Sequence, residues 1–289
     1  MTRARHSRVS PRPGLIVLAL ALSLVASGCH SIGNPSRRMV PVWYRGNPWG
    51  LDANLKRASG AFSPVETTPK IAAWEAWGRS HLQDGDILFR MGDARAVFGL
   101  FRFSLVTAEI GESLFSHTAI VAREANELVV YDISSKGPSR QPFAIWMLDV
   151  VGAFGVKRPK PEFQNRIHQA VGFCKSSYLT QTHYDFAMKP GNNELYCVEM
   201  TEDAYRTAGL PLSEPIPIGQ LPGFHRHKQL AAVVEKVSKI KRTHRVYMPG
   251  SDRFGIWSSP VLNPVYFAPA ADQPLADGIA LRPYGPGYR

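Results

Sequence analysis

Residues 195–205, LYCVEMTEDAY, open an amphipathic helix on a cysteine. The helical pattern continues through YCVEMTEDAYRTAG to Gly209, where the glycine and the breaker LPLSEPIP (210–217) stop it. Cys197 therefore stands at a helix start. Unpaired backbone N–H groups and the positive end of the helix dipole favour a thiolate there and suit an oxyanion beside it. Glu199 and Glu202 satisfy the same helix end, and the charge of Glu199 would oppose a thiolate unless its side chain turns away. A cysteine so placed is a buried filler, half of a disulfide or a nucleophile.

The chain around it alternates helices with strands. PKIAAWEAWGRSHL (69–82) reads as a short helix, and DGDILFRM (84–91) as a turn leading into a strand at 86–91. ARAVFGLFRFSLVTAEIG (94–111) has a wide apolar helical face. SHTAIVA (116–122) and ELVVYDIS (127–134) are strands joined by REAN, a hairpin. RQPFAIWMLD (140–149) suits a short helix, VGAFGVKR (151–158) a strand, and 163–178 another helix. Helices and antiparallel strands in blocks predict an α+β fold rather than a doubly wound sheet. At 289 residues and 44% hydrophobic content the chain can bury a sizeable core.

MTRARHSRVSPRPG (1–14) supplies four arginines and no acid, and LIVLALALSLVA (15–26) has the length of a signal h-region. VASGCH (25–30) places small residues directly before Cys29, as in a bacterial lipobox. The reading is a lipoprotein signal at 1–28, acylation of Cys29, and a tether over 29–69. A catalytic domain at 70–250 and an irregular extension at 251–289 follow. The partner is then a membrane, reached through the lipid on Cys29, in a bacterial cell envelope. Loss of the four arginines lowers the net charge from +11 to +7. That remaining excess is compatible with an anionic envelope surface or with a solvated face. Export without a recognisable binding motif excludes nucleic acid as a partner. Cys174, in RIHQAVGFCKSSY (166–178), falls on an apolar helix face, as core filler or as a disulfide partner of Cys197.

No G-x-S-x-G elbow and no Gly-rich phosphate loop occurs. His225 and His227 lack a carboxylate or cysteine at ligand spacing, so no metal is expected. A cysteine nucleophile needs an imidazole to take its proton and a polar group to orient that imidazole. His117 begins the strand SHTAIV, and Asp132 lies in VVYDIS on the next strand, where hairpin pairing can bring the two together.

DGDILF, SHTAIV, VVYDIS, HYDFAM and LYCVEMTEDAY occur in the order of the motifs of YiiX-like proteins, over residues 80–210. The chain resembles these circularly permuted papain-like cysteine hydrolases of the NlpC superfamily, which are related to lecithin:retinol acyltransferases. The histidine strand precedes the cysteine helix, as in the permuted arrangement. The resemblance implies Cys197 as nucleophile, His117 as general base, Asp132 as orienting group, Tyr184 near the oxyanion, and no cofactor. Val198 stands where the family usually has serine, and Asp132 where glutamate or histidine is common. The expected activity is cleavage of an amide or ester, in a peptidoglycan peptide or a lipid acyl group. The competing expectation is a non-catalytic envelope lipoprotein that keeps the fold as a binding or assembly module.

Overall fold

The structure is a computed structural model and describes residues 35–94, 102–228, 232 and 240–271. The signal segment, Cys29, positions 95–101 of the expected second helix and everything after 271 lie outside the described residues.

Eight strands and seven α-helices frame the molecule among these residues. In chain order they begin with α1 (Leu51–Ala58), α2 (Pro69–His81), β1 (Ile87–Arg90), α3 (Phe103–Gly111), β2 (His117–Glu124) and β3 (Glu127–Ser134). There follow β4 (Gly137–Pro142), α4 (Phe143–Trp146), β5 (Phe154–Pro159), α5 (Ile167–Thr180) and α6 (Cys197–Thr207). The last are β6 (Ile216–Pro217), α7 (Pro222–Arg226), β7 (Arg245–Val246) and β8 (Leu262–Ala268). Six strands form one sheet in the order β4-β3-β2-β1-β5-β8, and every neighbouring pair is antiparallel. β6 and β7 pair separately. The α+β expectation holds.

Local signals place most of these elements. Thr68 caps α2, its hydroxyl accepting from the Ile71 N–H, and Pro69 takes the first helical position. Ala125 and Asn126, with φ of 43° and 72°, make the two-residue turn of the β2–β3 hairpin. α5 buries Ile167, Ala170, Cys174, Ser177 and Tyr178, one stripe at helical spacing. Gly209, at φ 76°, supplies the left-handed residue beyond α6.

The sheet is buried on both faces. Ile87, Phe89, Ile120, Val129 and Tyr131 pack against Cys174 and Tyr178 of α5 and Ala204 and Tyr205 of α6. The alternate residues Leu88, Ala119, Val121 and Val130 meet Trp74 and Trp77 of α2 and Phe143 and Trp146 of α4. Cys174 and Cys197 are both free thiols, and Cys174 is fully buried in the first of these cores.

Two strands of the six-stranded sheet depart from the sequence reading, and they form its two edges. β4, GPSRQP, and β8, LNPVYFA, both carry proline. An edge strand tolerates proline because its outward side needs no N–H donor, and Pro264 follows an irregularity in the β5–β8 register. The last segment is thus a sheet strand up to Ala268 rather than wholly irregular. The expected tether also folds from Pro35 onward. Asn47 donates to the carbonyls of Gly137 and Pro138 at 3.1 and 3.0 Å, and Asn54 donates to that of Arg140 at 2.8 Å. Single polar side chains stitch this segment to β4, and Trp49 and Ala53 are buried. Such contacts leave no periodic trace in the sequence.

Candidate active site

His117 and Asp132 approach through β-pairing. Ile120 lies opposite Tyr131, so position 132 sits diagonally from position 117 on one face of the sheet. Asp132 Oδ2 accepts from His117 Nε2 at 2.9 Å and from the Trp146 indole N–H at 3.0 Å. A carboxylate can only accept, so Nε2 carries the proton and Nδ1 is the nitrogen left for a second partner.

Cys197 reaches the same cleft as His117 from another element. α6 packs across β2, where the Thr118 hydroxyl donates to the Cys197 carbonyl at 3.2 Å and lies 2.9 Å from the Thr201 hydroxyl. These contacts fix the start of α6 beside the start of β2, so that Cys197 and His117 line one cleft. Burial works against the imidazolium. The nearby charge of Cys197 and the hydrogen bond that His117 donates to Asp132 outweigh it, and the His117 pKa is pushed up to about 9. Asp132 is held below its ordinary value despite burial, because His117, Arg90 and Trp146 all favour the carboxylate. The three residues predicted from sequence are therefore brought together.

Glu199 does not oppose the thiolate. Its side chain is fully buried behind the helix start, where Oε1 accepts from the Gly191 N–H at 3.1 Å. Burial, followed by the neighbouring charges of Asp203 and Asp185, pushes its pKa up to about 8, so near neutral pH it is mostly uncharged. Tyr196, the N-cap, offers no side-chain cap. The first-turn N–H groups of α6 are thus not occupied by a capping side chain, as an oxyanion site requires.

A cleft of about 240 Å³ opens over this group and is lined by Cys197, His117, Asp132 and Tyr184. Tyr184 is set by the loop before α6. Buried Asp185 bonds the N–H groups of Ala187 and Lys189 at 2.7 and 2.5 Å and the Asn192 amide at 3.1 Å.

Three contributors were not legible in the sequence. Trp146 shares Asp132 with His117, and the Arg90 guanidinium stacks over the Trp146 ring at 4.1 Å while donating to its carbonyl at 2.7 Å. Arg90 also lies 3.8 Å from Asp132 and 3.9 Å from Asp149. Ser36, from the segment expected as a tether, donates to Asp149 at 3.1 Å and lines the same cleft. The one sequence signal was Arg90 itself, a charged residue closing the apolar strand ILFR.

A histidine strand ahead of a cysteine helix, joined at the mouth of a cleft on an antiparallel sheet, belongs to the class of papain-like thiol hydrolases in permuted order. The model of the permuted papain-like amidase family YaeF/YiiX, family C92, matches residues 81–229, just over half of the chain, and the chain belongs to that family. Membership makes it an enzyme of the cysteine peptidase or amidase type. The solved structure described as the metalloprotein YiiX from Escherichia coli O157:H7 is similar in fold. Its TM-score is 0.52 at 20% identity, over 65% of this chain and 98% of that one. Among the described residues of this chain no group of three or more His, Cys, Asp and Glu side chains is arranged to hold a metal ion. No curated protein matches the chain.

Proposed function

We propose that this amidase-family enzyme works in the bacterial cell envelope, lipid-anchored at Cys29, with Cys197 as nucleophile, His117 as base and Asp132 as orienting group. The supporting observation is a single histidine bonded through Nε2 to Asp132 in a cleft that Cys197 also lines. His117 takes the thiol proton at Nδ1, and Sγ forms a bond to the carbonyl carbon of an amide or ester. The first-turn N–H groups of α6 and the Tyr184 side of the cleft hold the oxyanion. The C–N or C–O bond then breaks as His117 passes the proton to the leaving amine or alcohol. Water, deprotonated by the same nitrogen, hydrolyses the thioester. The substrate is an envelope amide or ester, in a peptidoglycan peptide or a lipid acyl group.

The test is acylation by p-nitrophenyl acetate, followed by mass spectrometry of the intact chain and its peptides. An acetyl group on Cys197 that forms slowly in His117→Ala supports the reading. No adduct, with alkylation of Cys197 indifferent to His117→Ala, would mean that the fold serves as a binding module. Incorporation of labelled palmitate that is lost in Cys29→Ser tests the anchor.

A further inference from the structure

The described surface carries few exposed large apolar side chains, and several of them gather around the cleft. Val42 and Trp43 are 92% and 63% exposed. Val151, also exposed, lines the cleft directly, and exposed Phe186 stacks edge-on at 5.0 Å against Tyr184, which lines it too. The Val42–Trp43 loop joins the same rim, because Asn47 and Lys136 line both the cleft and the shallow depression beside Trp43.

This loop is built rather than loose. Trp43 packs edge-on against buried Phe62 at 5.9 Å, and the Tyr44 hydroxyl donates to Asp52 of α1 at 3.0 Å. The Lys136 ammonium donates to the carbonyls of Arg45 and Gly46 at 3.0 and 3.1 Å. An exposed indole held outward by packing has no folding reason to face water.

The charge around it has one sign. Residues 35–58 hold five arginines and lysines against the single acid Asp52, and that acid is paired with Lys56 at 2.7 Å. Arg38 and Arg45 are exposed, and neither pairs with a carboxylate among the described residues. Tryptophan beside arginine, on an apolar rim, matches the interface of a bilayer with anionic headgroups, where the indole sits among headgroups and the guanidinium meets phosphate.

We infer that the cleft rim, centred on Val42 and Trp43 and flanked by Arg38 and Arg45, is a docking face for an anionic phospholipid bilayer. An acyl chain on Cys29 would keep the protein near a membrane, whereas this face sets which way the cleft points once there. The inference requires neither the acyl chain nor a reactive Cys197.

Trp43 makes the test specific, since the other five of the six tryptophans are buried. The full chain is mixed with vesicles of phosphatidylglycerol and phosphatidylcholine whose acyl chains are brominated, and tryptophan emission is followed. The expected result is quenching with phosphatidylglycerol present and little with phosphatidylcholine alone. Trp43→Phe should abolish that quenching. The double variant Arg38→Glu/Arg45→Glu should reduce it several-fold while its circular dichroism matches the parent. Tethering by the N-terminal segment alone leaves Trp43 in water, so an unquenched chain that still floats with the vesicles overturns the inference. Quenching that persists in Trp43→Phe overturns it equally. A rim that docks a protein partner instead would give the unquenched result.

Discussion

Asp132→Asn separates the charge of this carboxylate from its geometry. Oδ2 accepts from both His117 and Trp146, so an asparagine must place its carbonyl oxygen there. Its amide nitrogen then takes the position of Oδ1, which has no hydrogen-bond partner among the described residues. The ring orientation and the proton on Nε2 are therefore kept, while the negative charge is lost. Replacing a charged acceptor by a neutral one gives up roughly 1.5 kcal/mol, equivalent to about one pKa unit. Lost Coulomb attraction adds to this, so His117 should fall by about 1–2 units from its value of about 9. The charge of Cys197 still holds it above the ordinary histidine value of 6.5. Carbon-13 NMR of the labelled imidazoles, assigned by His117→Ala, reads this titration directly. An Asp132→Asn variant whose His117 still titrates near 9 would refute the assignment of Asp132 as a charge partner. A wild-type His117 that titrates at 6.5 would refute its electrostatic coupling to both Asp132 and Cys197. The buried amide N–H₂ left without an acceptor should also cost about 1–3 kcal/mol of stability, visible in urea melts.

Three further outcomes follow from the same contacts. Glu199 has a folded pKa near 8 against an ordinary 4.5, so between these values the native state holds a proton that the unfolded chain releases. Stability contributed by this site falls as pH rises through that window, and Glu199→Gln should flatten the slope by at least about 1.4 kcal/mol, one pKa unit's worth, in melts from pH 5 to 8. Arg158 forks onto fully buried Asp86 with bonds of 2.7 and 2.8 Å, and Arg158→Ala should cost about 3–5 kcal/mol by stranding that carboxylate, measured by denaturant unfolding. Burial pushes the Cys174 thiol far above its ordinary range, so Ellman titration of native Cys29→Ser protein should find one thiol, at Cys197, and a second only after unfolding.

The catalytic half of the fold was legible because its signals are local. Strand alternation exposed β2 and β3, the REAN turn joined them, and the amphipathic pattern of α6, stopped at Gly209, put Cys197 at a helix start. The pairing that brings position 132 diagonally opposite position 117 follows once the hairpin is granted. Contacts across the chain gave no such signal. Trp146 reads as one more apolar residue of a short helix until its indole N–H is seen on Asp132. The second half of β4 reads as the start of a short helix and β8 as irregular chain, because proline, the residue that argues against a strand, is acceptable at the two edges of a sheet where one side needs no partner.

The charges around the thiol form one connected arrangement. Glu199, the acid nearest in sequence, is neutralised by burial, and its Oε1 accepts from the Gly191 N–H behind the helix start. Asp132, the acid that stays charged, is surrounded by donors from His117 and Trp146 and by the nearby guanidinium of Arg90. Arg90 lowers the His117 pKa while steadying Asp132, so it limits how tightly the imidazolium holds its proton. A base that kept its proton too firmly could not release it to a leaving amine. Removing Arg90's charge while keeping its stem over Trp146, as in Arg90→Met, should therefore raise the His117 titration above 9 and slow acylation, the step in which that proton goes to the leaving group. The opposite shift would show that Arg90 serves the fold of the Trp146 turn rather than the proton.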